Sequence, residues 1–295
     1  MSIKSVFVLG LKVIALTVAV FVSLSVASKV VGLGDSSSLT PKQASATFIA
    51  FIAVCLMYAV VLAYPVLRSR WAGWRLVATV ALVYYGVNTF MSQIESAVFL
   101  PHVLPEGMLP KLFMNGAAAA VLIAPLSVLI LGKVKSSEPQ SPNLRLVMPV
   151  SEWAWKLAAS AMLYVCLYFS FGYFIAWQNP AIREFYAGGL VIPAWMPLFQ
   201  PLRGLLWTII ALPVIRMMKG QWWEAGLAVG LLFAVLMNAM LLIPNNPIMP
   251  DAVRLAHLME TAPSNFIFGM LTTGLMMWRP AARRASASST AQVNA

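Results

Sequence analysis

Long unbroken apolar runs separated by short polar connections set the character of this chain. Runs long enough to approach the ~20 residues of a bilayer-spanning helix cover roughly Phe7–Val31, Ala44–Leu67, Trp74–Leu100, Met108–Leu131, Trp153–Trp177, Leu202–Met217, Trp222–Ile243 and Ser264–Trp278. The runs are continuous rather than alternating, which argues for helices over the strands of a membrane barrel. The pattern therefore predicts an all-α, polytopic membrane helical bundle of about eight transmembrane helices. The sixth and eighth runs are short unless flanking residues join them.

The connections carry an orientation signal. If the N-terminus is cytoplasmic, the inside segments hold Lys4, Arg68, Arg70, Arg75, Lys133, Lys135, Arg145, Arg216, Lys219, Arg279, Arg283 and Arg284. The outside segments hold Lys29, Lys42, Lys111, Arg183, Arg203 and Arg254, with Lys12 and Lys156 set aside as lying within span starts. Twelve cations against six favours both termini inside. The Ser/Pro-rich stretch 133–152 reads as a cytoplasmic linker between halves at 1–132 and 153–279, and 280–295 as a polar, disordered tail. Lys4 and the run ending in Val26-Ala27-Ser28 resemble a signal peptide, but Lys12 interrupts the run, so it reads as a retained first span.

The two halves resemble each other. Ala63-Tyr-Pro-Val-Leu-Arg68 closes the second run, and Ala211-Leu-Pro-Val-Ile-Arg216 closes the sixth. Tryptophans follow both motifs, Trp71 and Trp74 in one case and Trp222 and Trp223 in the other. After two extra residues, Asn88 aligns with Asn238 and Asn115 with Asn265, each 150 positions apart. This is the signature expected of a tandem duplication of a four-helix unit, with a pseudo-two-fold axis along the membrane normal as in parallel transporter repeats.

Composition narrows the function classes. The chain is 61% hydrophobic and 10% charged, with a mean hydropathy of +0.83, far from a soluble domain. Its net charge of +11 comes from residues at the ends of apolar runs, so it marks helix anchoring and not a nucleic-acid surface. Cys55 and Cys166 both fall inside apolar runs, which argues against a disulfide framework or a cysteine metal site.

Candidate chemistry lies in the polar residues inside or beside the spans. Asn88 is 13 residues beyond Arg75, about 20 Å deep at roughly 1.5 Å per residue. Asn238 and Asn265 come out at a similar depth, and Asn115 lies about 10 Å from the opposite edge. Four amides at membrane depth must find partners, either as lining of a ligand site between the halves or as helix-to-helix hydrogen bonds. Glu95, Arg254, His257 and Glu260 are expected at an outer rim or gate. His102 with Glu106, and His257 with Glu260, supply imidazole and carboxylate at helical spacing, a conceivable metal set or proton relay. Pro101, Pro105 and Gly107 argue against a regular helix around the first pair.

The stretch Asp251–Asn265 reads in two ways. Either Asp251 caps a short interfacial helix and Pro263 starts the last span, or the whole stretch extends the eighth helix outward through a proline kink. Gln178–Tyr186 reads as an amphipathic outer loop whose Arg183, Glu184 and Tyr186 form a surface cluster or a lid. Ala117–Ala120, after Asn115 and Gly116, is a small-residue face suited to close helix packing.

The sequence holds no HExxH, GxSxG, P-loop or dinucleotide fingerprint, so an enzyme is disfavoured and no cofactor is called for. The expected function is a transporter-like or small-ligand-binding membrane protein with a polar site between the halves in the outer part of the bilayer. The alternatives are a non-enzymatic structural or regulatory membrane subunit and a membrane metalloenzyme using the outer His and Glu residues. The expected partners are the lipid bilayer, a small polar substrate, and a membrane protein partner or a second copy of the chain. Short loops suit a bacterial cytoplasmic membrane.

Overall fold

The computed structural model describes residues 2–33, 40–100, 104–135, 143, 145–187, 193–246 and 249–278. Ten α-helices follow one another among these residues: α1 Ile3–Val31, α2 Pro41–Leu67, α3 Gly73–Tyr84, α4 Ser92–Phe99, α5 Met108–Ile130, α6 Val150–Phe171, α7 Pro180–Ala187, α8 Met196–Met217, α9 Trp222–Leu242 and α10 Asp251–Met277. A π-helical turn, Tyr85–Met91, joins α3 to α4, and a second, Gly172–Ala176, ends α6.

Six helical runs are long and apolar enough to cross a membrane: α1, α2, α5, α6 with its π turn, α8 and α9. The protein is thus an integral membrane helical bundle. Two further runs pack among the six. Gly73–Phe99 is divided by its π turn, and α10 dilutes its apolar half with Thr261, Ser264, Asn265, Thr272 and Thr273. The outward face of α1 shows what surrounds the bundle. Phe7, Leu11, Ile14, Val18, Val22, Val26 and Val30 form an exposed apolar stripe at helical spacing, while Leu16, Val20, Leu24 and Ala27 turn inward. Such a stripe is stable against lipid and costly against water.

Thr17, Ser23, Thr79, Ser96, Ser127 and Thr208 each donate to the carbonyl four residues earlier, which satisfies these hydroxyls within their own helices. The buried hydroxyls of Tyr84, Ser160, Thr272 and Thr273 have no partner among the described residues. Close packing comes from small residues. A Cβ on Gly269 would stand 2.7 Å from the Gly230 backbone, and one on Gly230 would stand 2.8 Å from the Phe266 carbonyl oxygen, so α9 and α10 touch main chain to main chain. Gly116 meets Thr89 equally closely, and Ala119 and Ala120 are buried beside it.

At the end of the bundle holding Ser2 and Trp278, charges tie helices together. The Lys12 ammonium donates to the Leu131 carbonyl at the end of α5 (3.0 Å), and Lys133 donates to the Ser69 carbonyl (2.8 Å). Buried Lys156 pairs with Glu152 (2.8 Å) and donates to the Met276 and Trp278 carbonyls at the end of α10. A cation on the last carbonyls of a helix offsets the negative end of its dipole. Ser69 and Met218 form an isolated antiparallel bridge, with Arg70 N–H donating to the Met217 carbonyl and Lys219 N–H to the Arg68 carbonyl. Arg145 donates to the Ile215 and Gly220 carbonyls. Burial and the charge of Arg70 hold its guanidinium below the ordinary arginine range.

Several expectations need correction. Asp251 to Met277 is one helix with Pro263 inside it and Pro250 at its cap, so the short interfacial helix is replaced by the kinked extension. Proline there costs one internal hydrogen bond, and the surrounding bundle tolerates it. The stretch Gln178–Tyr186 is not simply a loop, because α7 begins at Pro180. Arg203 and Arg254, assigned to exposed connections, are buried inside α8 and α10. The linker residues 136–142 and 144 and the tail 279–295 lie outside the described residues.

Candidate functional site

At the end of the bundle opposite Ser2 and Trp278, the last turns of α4, α6 and α9 and the first half of α10 do not close on one another. Between them, with α7 and α8, lies a cavity of about 340 Å³. The π turn Gly172–Ala176 forms part of its wall, and π turns recur where a helix has been opened for function. Most of the lining is apolar and aromatic, including Tyr164, Tyr168, Tyr173, Trp177, Tyr186, Trp207 and Phe268. Phe169, Tyr173 and Trp177 also face the exterior, so they form the rim.

Two ion pairs converge on this space. Arg203, 1% exposed, donates from Nη2 to Glu95 Oε2 at 2.7 Å and from Nη1 to Gln200 Oε1 at 3.2 Å. Its guanidinium carbon lies 5.5 Å and 5.6 Å from the ring centres of Tyr164 and Tyr168. On α10, His257 Nδ1 lies 3.0 Å from Glu260 Oε2, and His257 Nε2 lies 3.1 Å from the Tyr186 hydroxyl. Burial, with the charges of Glu95 and Glu260, pushes the Tyr186 phenol well above its ordinary value. The phenol therefore stays protonated and donates to Nε2 when His257 is neutral, which puts the imidazole hydrogen on Nδ1, aimed at Glu260. Among the described residues, Glu260 Oε1 has no hydrogen-bond partner.

The amides differ in their environments. Asn265 lines the cavity, and its side chain has no hydrogen-bond partner among the described residues. Asn238 lines it too, accepting from Thr261 Oγ1 (2.7 Å) and donating to the Ala234 carbonyl (2.8 Å). Asn88 stands elsewhere, donating to the Tyr58 hydroxyl (2.6 Å) and the Leu236 carbonyl (2.9 Å). Asn115 accepts from Ser28 on α1 at 3.3 Å. The structure thus brings together Asn238 and Asn265, and puts Asn88 and Asn115 at helix contacts.

Of the rim residues, Glu95, His257 and Glu260 line the cavity. Arg254 does not: it donates to the Met249 carbonyl and Asn245 and pairs with Asp251, so it clasps the connection before α10. For the metal set, His102 lies outside the described residues, Glu106 is exposed, and His257 and Glu260 are bonded to each other. Among the described residues, no three or more His, Cys, Asp or Glu side chains are grouped to hold a metal. Arg203, Tyr164, Tyr168 and Trp207 had no distinguishing feature in the sequence beyond the apolar context of Arg203. An arginine three residues after Gln200 in an apolar helix must find a carboxylate, and Glu95 is that partner.

Comparison with known proteins finds no matching family model, curated protein or solved structure. The site's chemistry therefore rests on its own geometry.

Proposed function

We propose that this chain is a transporter-like, ligand-binding membrane protein of eight spans, built from two copies of a four-helix unit. The observation that carries the ligand reading is a cavity lined by Asn265 and Glu260, where neither the Asn265 amide nor Glu260 Oε1 has a side-chain hydrogen bond from the described residues. Polar groups left without partners at membrane depth are costly, and a bound molecule would satisfy them. Both termini are read as cytoplasmic, which puts the cavity in the outer part of a bacterial cytoplasmic membrane.

Four features of the packing support the duplication. Within the first copy, α1 packs on α2 and α5, and within the second, α6 packs on α8 and α10. Between copies, α2 packs on α9 as α8 packs on α3. Lys12 and Lys156, each in the first span of its copy, both reach the carbonyls that end the fourth. The Ser69–Met218 bridge joins the ends of the two Pro-Val motifs.

Cysteine labelling tests the reading. In a chain with Cys55 and Cys166 replaced by alanine, a membrane-impermeant maleimide applied to the outer face should modify Asn265→Cys. It should spare Asn88→Cys and Asn115→Cys, whose positions are helix contacts. If Asn265→Cys is as inert as the other two, the cavity reading is wrong and the bundle is held by amide bonds alone. That outcome would favour the structural-subunit alternative, to which the bonds of Asn88 and Asn115 already lend themselves.

A further inference from the structure

We infer that the occupant of this cavity is an organic cation: an ammonium group on an apolar or aromatic body, its charge set against Glu260 and the tyrosine rings. The inference rests on the ligand-binding reading above and adds the class of molecule.

The charges favour that class. Glu95 and Glu260 are the acids lining the cavity and Arg203 is the fixed cation, with His257 able to be neutral or charged. Arg203 already has its counter-charge: Nη2 donates to Glu95 and Nη1 to Gln200, while its Nε is buried with no partner among the described residues and out of reach of solvent. Glu260 has the opposite status. One oxygen faces His257, and the other, Oε1, lies 3.6 Å from where a Cβ on Gly172 would stand, unbonded beside a residue that also lines the space. An anionic ligand, or a neutral one, filling the cavity would strip water from this carboxylate without supplying a counter-charge. An ammonium group supplies the missing charge, and the Tyr168, Tyr173 and Trp177 rings offer faces that attract cations. Arg203 against Tyr164 and Tyr168 already shows the same preference within the protein.

A consequence concerns protons. Protonation of His257 would compensate the same carboxylate, so a bound cation and a proton on His257 exclude each other. Across the cavity, His257 and Glu260 are faced by Tyr186 on α7, Glu95 on α4, Arg203 on α8, and Tyr164, Tyr168 and Tyr173 on α6 and its π turn. Asn238 is the nearest polar group of α9, bonded to Thr261. Arg203 is the one other positive charge among these groups, and it is paired with Glu95. Cation affinity should therefore fall as pH is lowered, by up to about tenfold per pH unit where His257 charges in the free protein.

The test is isothermal titration of the full chain in detergent micelles with benzyltrimethylammonium, whose charge is independent of pH. Phenylacetate and benzyl alcohol serve as matched anionic and neutral probes. Saturable binding of the cation alone at pH 8, weaker at pH 6, is expected. Glu260→Gln should weaken it by about tenfold or more, the scale of one lost charge contact. His257→Phe should bind the cation with the pH dependence abolished, a result available even if Glu260→Gln fails to fold. Binding of phenylacetate or benzyl alcohol in place of the cation, or unchanged cation binding in Glu260→Gln, overturns the inference. So does only non-saturable uptake of the cation, or tighter binding at pH 6. The cysteine labelling separates the two levels: a reactive Asn265→Cys without cation binding removes the ligand class alone, whereas an inert one removes the cavity reading beneath it.

Discussion

Removing Glu95 should cost far more than its partly exposed position on α4 would imply, and removing Arg203 with it should restore most of the loss. Glu95 is 26% exposed and reaches the cavity, whereas the Arg203 side chain is 1% exposed and has no water of its own. In Glu95→Ala the guanidinium keeps Gln200 and the tyrosine faces but loses its counter-charge, and an uncompensated buried charge costs about 3–5 kcal/mol. Arg203→Met leaves a carboxylate that the cavity can hydrate. Its expected cost is about 1–3 kcal/mol, from the lost ring contacts and the unpaired Gln200 oxygen. The double variant Glu95→Ala/Arg203→Met removes both charges, and methionine fills much of the space, so it should lie no more than about 1–3 kcal/mol below the parent. The singles sum to roughly 4–8 kcal/mol, leaving a coupling of at least about 1 kcal/mol. Equilibrium unfolding in mixed micelles with rising dodecyl sulfate, followed by tryptophan fluorescence, measures all four corners of the cycle. Additivity of the two singles to within about 0.5 kcal/mol would refute the account of a buried cation held by one carboxylate.

Two further outcomes follow from the packing. Gly269→Ala must push α10 off α9, because the new carbon meets Gly230 backbone at 2.7 Å; a loss of about 1–3 kcal/mol in the same unfolding assay is expected, while Gly10→Ala, with nothing within 4 Å, should be neutral or slightly stabilising. Lys156→Met breaks the buried ion pair with Glu152 and takes the cation from the end of α10, for about 3–5 kcal/mol. Lys12→Met breaks only the bond to the Leu131 carbonyl and should cost about 0.5–1.5 kcal/mol; equal losses at the two lysines would contradict the role of Glu152.

The bundle was legible because lipid imposes a simple rule, and long apolar runs have few alternatives to spanning helices. The failures have equally physical causes. A π turn adds one residue to a helical turn without any fixed composition, and Gly86 and Gly172 are too weak a signal to locate the two in advance. Arg203 and Arg254 were misplaced because a charge near a run's end reads as a loop cation, whereas a carboxylate or amide within reach can draw it inside. The site residues were legible singly: Glu95, His257, Glu260, Asn238 and Asn265 all stand out as polar residues in apolar surroundings. Their meeting was not, because side chains meet according to helix rotation and tilt, which spacing along the chain does not record. Asn88 and Asn238 stand 150 positions apart in sequence, yet one binds Tyr58 and the other faces the cavity.

On the proposed duplication, Asn115 and Asn265 are counterparts with different surroundings, and the difference explains why the cavity opens at the amide of the second copy. In the first copy α1 continues as an unbroken helix to Gly32, and Ser28 near its end bonds Asn115. In the second, α6 gives way to the π turn at Gly172, and Gly172 has no side chain to lay over Glu260. The equivalent amide, Asn265, is left facing open space, and the unbonded oxygen of Glu260 borders the same opening. One copy therefore uses its amide to hold helices together, and the other leaves its amide without a partner. A local change in one helix, which alters neither the helix order nor the packing between copies, is enough to turn a structural contact into a place where a ligand can bind.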